Sequence, residues 1–275
     1  MEQPEDTKMG TVYPFLISIP HGGDVVPPEV KDMVSITDRD VFYEGDTLTR
    51  EIYNLRNRVA AFIEMPIARA IVDVNRAPDD RPPKNQDGVV KTVTVNGTSV
   101  YKAGKFPDDA LIEEILQRYY YPYHKKLDYL LDKHNIKLAL DCHSMLPNSP
   151  PISVNPGQPR PLICLCNRGD NQGMPTGRPI TCPPEWIQAL AESFRHVFGN
   201  EGEVTMNNPF LGGYISQVHY GRRGIPWIQI EINRTLYLNE AHLEPSEMQV
   251  KERIIEALQE KIAHAIIQFW TGISD

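Results

Sequence analysis

Four short stretches carry the residue types that hydrolytic chemistry needs. His21-Gly22-Gly23-Asp24 sets an imidazole and a carboxylate three residues apart, a pair that reaches one divalent cation from a turn. Asp141-Cys142-His143-Ser144 brings a second imidazole and another carboxylate. Glu231 is the acid inside the apolar run Trp227-Ile228-Gln229-Ile230-Glu231-Ile232, where burial costs free energy unless the carboxylate has a partner. Asn75-Arg76 places an amide beside a permanent cation, and a guanidinium grips a carboxylate through two parallel hydrogen bonds.

Two histidines and one carboxylate make a catalytic zinc set whose fourth position stays open to water. His21, Asp24 and His143 are the candidate ligands, for one divalent metal ion, zinc first. Such an ion lowers the pKa of water and polarises a carbonyl. A carboxylate outside the ligand set then takes the proton, and Glu231 is the candidate catalytic base. Arg76, helped by Asn75, is the candidate for binding a substrate carboxylate. Arg222 and Arg223 are candidates for a second one, with Arg234 a further choice that the sequence does not rank. Each residue also has a plainer reading. Asp141 caps a turn or orients His143, Glu231 faces water from an edge strand, and Arg76 pairs with Asp73 or Asp79. Cys142 beside His143 suggests a cysteine nucleophile, but neighbours on a strand point to opposite faces.

These residues must be held by strands and helices. The apolar run 14–20 reads as a strand that ends at His21, where two glycines let the backbone approach a ligand. A helix capped by Thr37 runs to about Arg56 and contains Asp46, either a solvated acid or one facing the metal from behind its ligands. Residues 59–63 and 70–74 read as strands, the second ending in Asn75-Arg76. Residues 78–87 form a polar loop placed to cover a site. Residues 92–101 alternate around Asn96-Gly97, a hairpin signal. The longest helical stretch, 106–135, is kinked or split by Pro122, with His124 as a packing histidine. Residues 136–140 are a buried strand ending in Asp141-Cys142-His143-Ser144. A proline-rich loop (147–161), a strand (162–166), a helix (184–198), a glycine-punctuated segment (212–224), the Glu231 strand and a last helix from Pro245-Ser246 complete the chain. Strands alternating with helices imply an α/β fold: one mixed, mostly parallel sheet with helices on both faces. Ligands bind such sheets at the carboxyl ends of the strands.

Composition narrows the class. The chain has 275 residues, 41% of them hydrophobic, and a formal net charge of -8, which fits a single domain over 1–275 and argues against a nucleic-acid surface. No apolar run has transmembrane length, and residues 1–10 are acidic and polar, unlike a secretory signal. A cytoplasmic protein with no membrane or nucleic-acid partner is the expectation. Cys142, Cys164, Cys166 and Cys182 then read as reduced buried thiols.

The order His-x-x-acid, Asn-Arg, Asp-x-His-Ser and a late Glu resembles the zinc carboxypeptidase superfamily, with Asp24 where that family has Glu. The chain is still more similar to the N-formylglutamate amidohydrolase (deformylase) family. The matching pieces are Ile19-Pro20-His21-Gly22-Gly23, Val72-Asp73-Val74-Asn75-Arg76, Asp141-Cys142-His143-Ser144-Met145, Gly213-Tyr214, and residues 228–234 with Leu236-Tyr237. The resemblance covers roughly residues 14–238 and leaves about 150–182 unmatched. It implies a phosphorylase/hydrolase-like (zinc-peptidase-like) fold, a divalent metal, and hydrolysis of N-formyl-L-glutamate to formate and L-glutamate in histidine degradation. Other outcomes stay open: a related zinc carboxypeptidase, a deacylase with another acyl group, or a catalytically silent binding protein of the same fold.

Overall fold

The computed structural model describes residues 11–239, 243–244 and 248–274. Six strands form one sheet: β1 (Tyr13–Ile19), β2 (Val59–Glu64), β3 (Leu138–Met145), β4 (Ile163–Cys166), β5 (Val204–Met206) and β6 (Trp227–Asn233). Their order is β2-β1-β3-β6-β4-β5. All neighbours are parallel except β4 against β6. The central strands β3 and β6 are buried along their whole length, as expected for strands covered on both faces.

Period-two alternation sorts the strand residues onto two faces. Phe15, Ile17 and Ile19 of β1, Leu140 and Cys142 of β3, and Ile228, Ile230 and Ile232 of β6 share one apolar core. That core is closed by the short helix Thr49–Ile52, helix Pro184–Phe198 and helix Glu252–Ser274. The opposite face, around Leu16, Ala139 and Trp227, packs against residues of helices Asp109–Ile115, Tyr121–Lys133 and Tyr214–Arg223. Toward the strand ends this second face turns polar. Asp141 and His143 of β3 pair in register with Gln229 and Glu231 of β6, and Cys164 of β4 lies opposite Glu231.

Several expected elements differ in the structure. The helix from Thr37 is broken. Thr37 and Asp40 form a reciprocal capping box that starts α1 (Asp38–Glu44), but Gly45 ends it, and α2 (Thr49–Ile52) follows after a turn. The 106–135 stretch is α3 (Asp109–Ile115) and α4 (Tyr121–Lys133), joined by a π-helical turn at Leu116–Tyr120. Pro122 follows directly on the π-helical turn inside a continuous helical stretch, a local change of winding of the kind that accommodates a residue without an N–H. Residues 70–74 are not a strand but a turn, and their apolar character reflects burial of Ile71, Val72 and Val74 in the second core. Residues 92–101 keep only the hairpin turn: Thr94 N–H donates to Thr98 O, and an isolated bridge joins Val93 to Ser99. Helix α5 occupies Pro184–Phe198 as expected. The glycine-punctuated segment is helix α6 (Tyr214–Arg223), closed by Gly224 in the left-handed region. The last helix, α7, spans Glu252–Ser274, while Pro245-Ser246 lies outside the described residues. No helix among the described residues is long and apolar enough to cross a membrane.

Candidate metal centre

At the carboxyl ends of β1 and β3, three buried side chains converge. His21, Asp46 and His143 offer one ligand atom each, all within 4.8 Å of one another. Asp46 Oδ2 lies 2.8 Å from His143 Nδ1 and 3.4 Å from His21 Nδ1. Tetrahedral ligands at zinc–nitrogen bond lengths stand ~3.3 Å apart, so this spacing suits a small divalent ion. The far ring nitrogens are spoken for. His21 Nε2 is 2.7 Å from Asp73 Oδ1, and His143 Nε2 is 3.2 Å from Asp141 Oδ2. A carboxylate behind each histidine favours a proton on Nε2, so that an ion displacing the proton shared between Nδ1 and Asp46 would meet a lone pair there, the usual support of a metal-binding imidazole. The donor set therefore fits a divalent metal.

The electrostatics follow from burial and these pairings. Burial opposes the charge on Asp46, but hydrogen bonds from His143 and His21 outweigh it and hold its carboxyl well below the usual range. Asp73 behaves likewise: burial raises it, while His21 and Arg69 pull it well down. For His143, burial works against protonation, yet Asp141 and Asp46 hold the imidazole well above its ordinary value. Two carboxylates turned on one buried ring make a strong cation-attracting centre.

Asp24 is not part of it. Its carboxylate is exposed and pairs with Arg50 Nη2 at 3.2 Å. The turn after His21 carries Asp24 away because Gly23 packs against the chain: a Cβ there would fall 2.4 Å from the Pro66 carbonyl carbon. The acid comes instead from the break between α1 and α2. Asp46 N–H donates to His21 O at 2.9 Å, so the two residues are stitched together through the backbone. Arg234 secures the same turn. It donates to Tyr43 O at 2.8 Å and Gly45 O at 2.6 Å, and it reaches Asp46 Oδ1 at 3.4 Å. The signal available in the sequence was Gly45, a helix stop that leaves Asp46 outside the helix.

Asn75 and Arg76 both line the cavity that opens onto this centre, which has a volume of about 490 Å³ and is also lined by Glu231, Arg69 and Arg160. Asn75 Nδ2 donates to Asp141 Oδ2 at 3.3 Å and its Oδ1 accepts from Ile215 N–H at 2.8 Å. Arg76 Nη2 pairs with Asp87 at 2.7 Å, and its Nε is buried without a hydrogen bond. Glu231 is 6% exposed, so it does not face water. Gln229 Nε2 donates to its Oε1 at 2.8 Å, while Gln229 Oε1 accepts from Gly213 N–H at 2.7 Å. Burial pushes the Glu231 carboxyl up to about 7, with Asp46 and Cys164 adding to the rise and His143 opposing it.

Arg222 and Arg223 lie elsewhere. They clamp Asp128 at 3.1 and 2.7 Å on the outer side of α4, because both sit in the last turn of α6 next to that helix. Asp128 in turn meets His219 Nδ1 at 2.9 Å. His219 contacts the His124 ring at 3.0 Å, and His124 Nε2–H donates to Val74 O at 2.9 Å. Their place is behind the 74–76 turn, not in the cavity. Cys142 sits in the opposite core, away from His143, as strand alternation requires.

Comparison with known proteins agrees with this architecture. The family model for N-formylglutamate amidohydrolase matches residues 13–238. The chain is 24% identical over 236 residues, 82% of each sequence, to the N-formylglutamate deformylase of Pseudomonas putida. The crystal structure of N-formylglutamate amidohydrolase from Ralstonia eutropha JMP134 superposes with a TM-score of 0.75 at 20% identity, covering 94% of this chain and 93% of the other. A gene product of Agrobacterium tumefaciens has a TM-score of 0.60 at 16% identity, over 95% and 92% of the two chains. Over most of its length, from the first strand through the Glu231 strand, the chain belongs to the N-formylglutamate amidohydrolase family.

Proposed function

We propose that the protein is a metal-dependent amidohydrolase that cleaves N-formyl-L-glutamate to formate and L-glutamate, a reaction that serves histidine degradation. The observation that carries this reading is the convergence of His21 Nδ1, His143 Nδ1 and Asp46 Oδ2 in a cavity that also holds the buried Glu231. His21, Asp46 and His143 would hold one divalent ion, zinc by the nature of the donors. Bound there, the ion supplies Lewis acidity, making water more acidic and polarising the formyl oxygen.

The remaining work falls to the chain's own side chains. Glu231 accepts a proton from the attacking water and returns it to the nitrogen as the C–N bond breaks, so formic acid and a neutral amine form, and proton transfer between them leaves formate and the ammonium form of glutamate. Gln229 keeps the Glu231 carboxylate aimed through its 2.8 Å hydrogen bond. Asn75 buttresses Asp141, the carboxylate behind His143. Arg76 Nε makes no hydrogen bond, though Asp73 Oδ2 stands 3.8 Å from it, and it is offered to a substrate carboxylate in the planar geometry that a guanidinium favours. Asn85 and Asp87 of the 78–87 segment line one wall of the cavity.

The deciding experiment measures metal content of the purified protein and formate release from N-formyl-L-glutamate before and after chelation. Stoichiometric metal, loss of turnover on chelation and recovery on adding zinc are the expected results. Full turnover in metal-free protein overturns the metal-dependent reading.

A further inference from the structure

Four arginines line the cavity: Arg69, Arg76, Arg160 and Arg234. Three of them are engaged. Arg69 Nε donates to Asp73 at 3.1 Å, Arg76 pairs with Asp87, and Arg234 spends its donors on the turn that carries Asp46. Arg160 differs. Its Nε, like that of Arg76, is buried without a hydrogen-bond partner, but unlike the other three it has no carboxylate among the described residues within ion-pair distance of its guanidinium. The one contact of that group is a face: its Cζ lies 4.9 Å from the centre of the Phe210 ring.

The backbone around Arg160 is fixed although the segment is proline-rich. Arg160 N–H donates to Pro147 O at 2.9 Å, and its carbonyl accepts from Asn233 Nδ2 at 3.3 Å. The side chain is thus launched from a pinned position, laid on an aromatic platform at the cavity wall, and left with its Nε without a hydrogen bond. Holding a cation in a partly dry site without an anion is costly. Stacking on the ring repays some of that cost, and an incoming carboxylate repays more through two parallel hydrogen bonds. The position also fits the sheet order. Arg76 follows Asn75, which bonds to Asp141 of β3, and Arg160 precedes β4 on the far side of β6. A substrate lying across β3 and β6 would meet one guanidinium at each end.

We propose that Arg160, stacked on Phe210, is the specificity-determining residue that binds the side-chain carboxylate of an acidic N-acyl amino acid. This rests on the amidohydrolase reading above and deepens it: Arg76 takes one carboxylate, Arg160 the second, and the pair selects dicarboxylic substrates over neutral ones.

The test compares N-formyl-L-glutamate with N-formyl-L-glutamine, which differ by that one carboxylate. In Arg160→Gln, kcat/KM for the glutamate substrate falls about 100-fold while that for the glutamine substrate changes by less than about twofold, the signature of a lost ion pair. Arg160→Lys keeps the charge without the fork and falls between wild type and Arg160→Gln. Equal losses on both substrates, or no loss on either, overturn the proposal. Calorimetric binding of L-glutamate and L-glutamine to wild type and Arg160→Gln supplies a second readout independent of turnover. If wild type cleaves neither substrate, the reaction reading fails, and Arg160 is judged by binding alone. L-Glutamate binding that Arg160→Gln abolishes then supports the assignment, and binding that is absent from wild type or unaltered in the variant refutes it.

Discussion

Asp46 Oδ2 lies 2.8 Å from His143 Nδ1 although 97 residues separate the two in the chain. The contact joins the break between α1 and α2 to the end of β3, and it defines which carboxylate belongs to the candidate metal centre. Asp46→Ala is expected to remove most of the bound metal and the activity with it. Asp24→Ala, which loses only an exposed pair with Arg50, is expected to keep both, since such pairs contribute roughly 0–1 kcal/mol. Metal analysis of the two variants checks the assignment; metal retained in the first and lost in the second would reverse it.

The difference between Asp24 and Asp46 also shows what the sequence does and does not carry. His21, His143 and Glu231 were legible because each is a polar residue set in an apolar strand or at its end, and strand alternation dictates which face it takes. The fold class was legible for the same reason. The acid was not, because a ligand contributed by a turn depends on how two distant segments pack, and no local period encodes that. Residues 70–74 failed differently. A short apolar run reports burial, and burial alone does not separate a strand from a buried turn. Arg222 and Arg223 looked available as cations, but Asp128 and Asp132 on α4 come within reach only once α6 has docked beside it.

Those two arginines give a clear expectation. Arg222→Ala should leave KM for N-formyl-L-glutamate unchanged and lower stability by less than about 1 kcal/mol, because its side chain is 51% exposed. Arg223→Ala should cost more, since Arg223 bridges both Asp128 and Asp132 and is 20% exposed. Thermal unfolding and initial-rate kinetics on the same preparations separate the two roles. A raised KM with unchanged stability would return these residues to the substrate site.

Gly213 tests the support behind His143. A Cβ on Gly213 would stand 2.3 Å from both Nδ2 and Oδ1 of Asn75, so Gly213→Ala must push the Asn75 side chain off Asp141. Weakening a carboxylate that orients a metal-binding histidine commonly costs 10–100-fold in metal affinity or activity, and roughly that loss is expected here. Gly221, whose Cβ would meet nothing within 4 Å, lies inside the helix that Gly213 caps and provides the control. Equal behaviour of Gly213→Ala and Gly221→Ala would show that Asn75 has no part in positioning the site.

Glu231 provides two linked expectations. Glu231→Gln preserves size and keeps a hydrogen-bonding partner for Gln229, so fold and metal content should survive while kcat falls by roughly 100-fold or more, the scale of general acid–base catalysis. The second expectation concerns metal-stripped protein. Burial raises the Glu231 carboxyl from 4.5 to about 7, so across that interval the folded chain holds a proton that the unfolded chain has released. Stability must then fall as pH rises from 4.5 toward 7, because the folded state binds more protons. Glutamine has no proton to lose. The melting temperature of the variant relative to wild type should therefore climb across this window by a few degrees and level off above it. Taking the difference between the two proteins cancels the groups that do not interact with Glu231; His143, which Glu231 helps to hold above its ordinary value, adds its own change to the difference. A constant difference from pH 4.5 to 8 would mean that Glu231 is solvated in the folded chain, and the assignment of a buried base would fall with it.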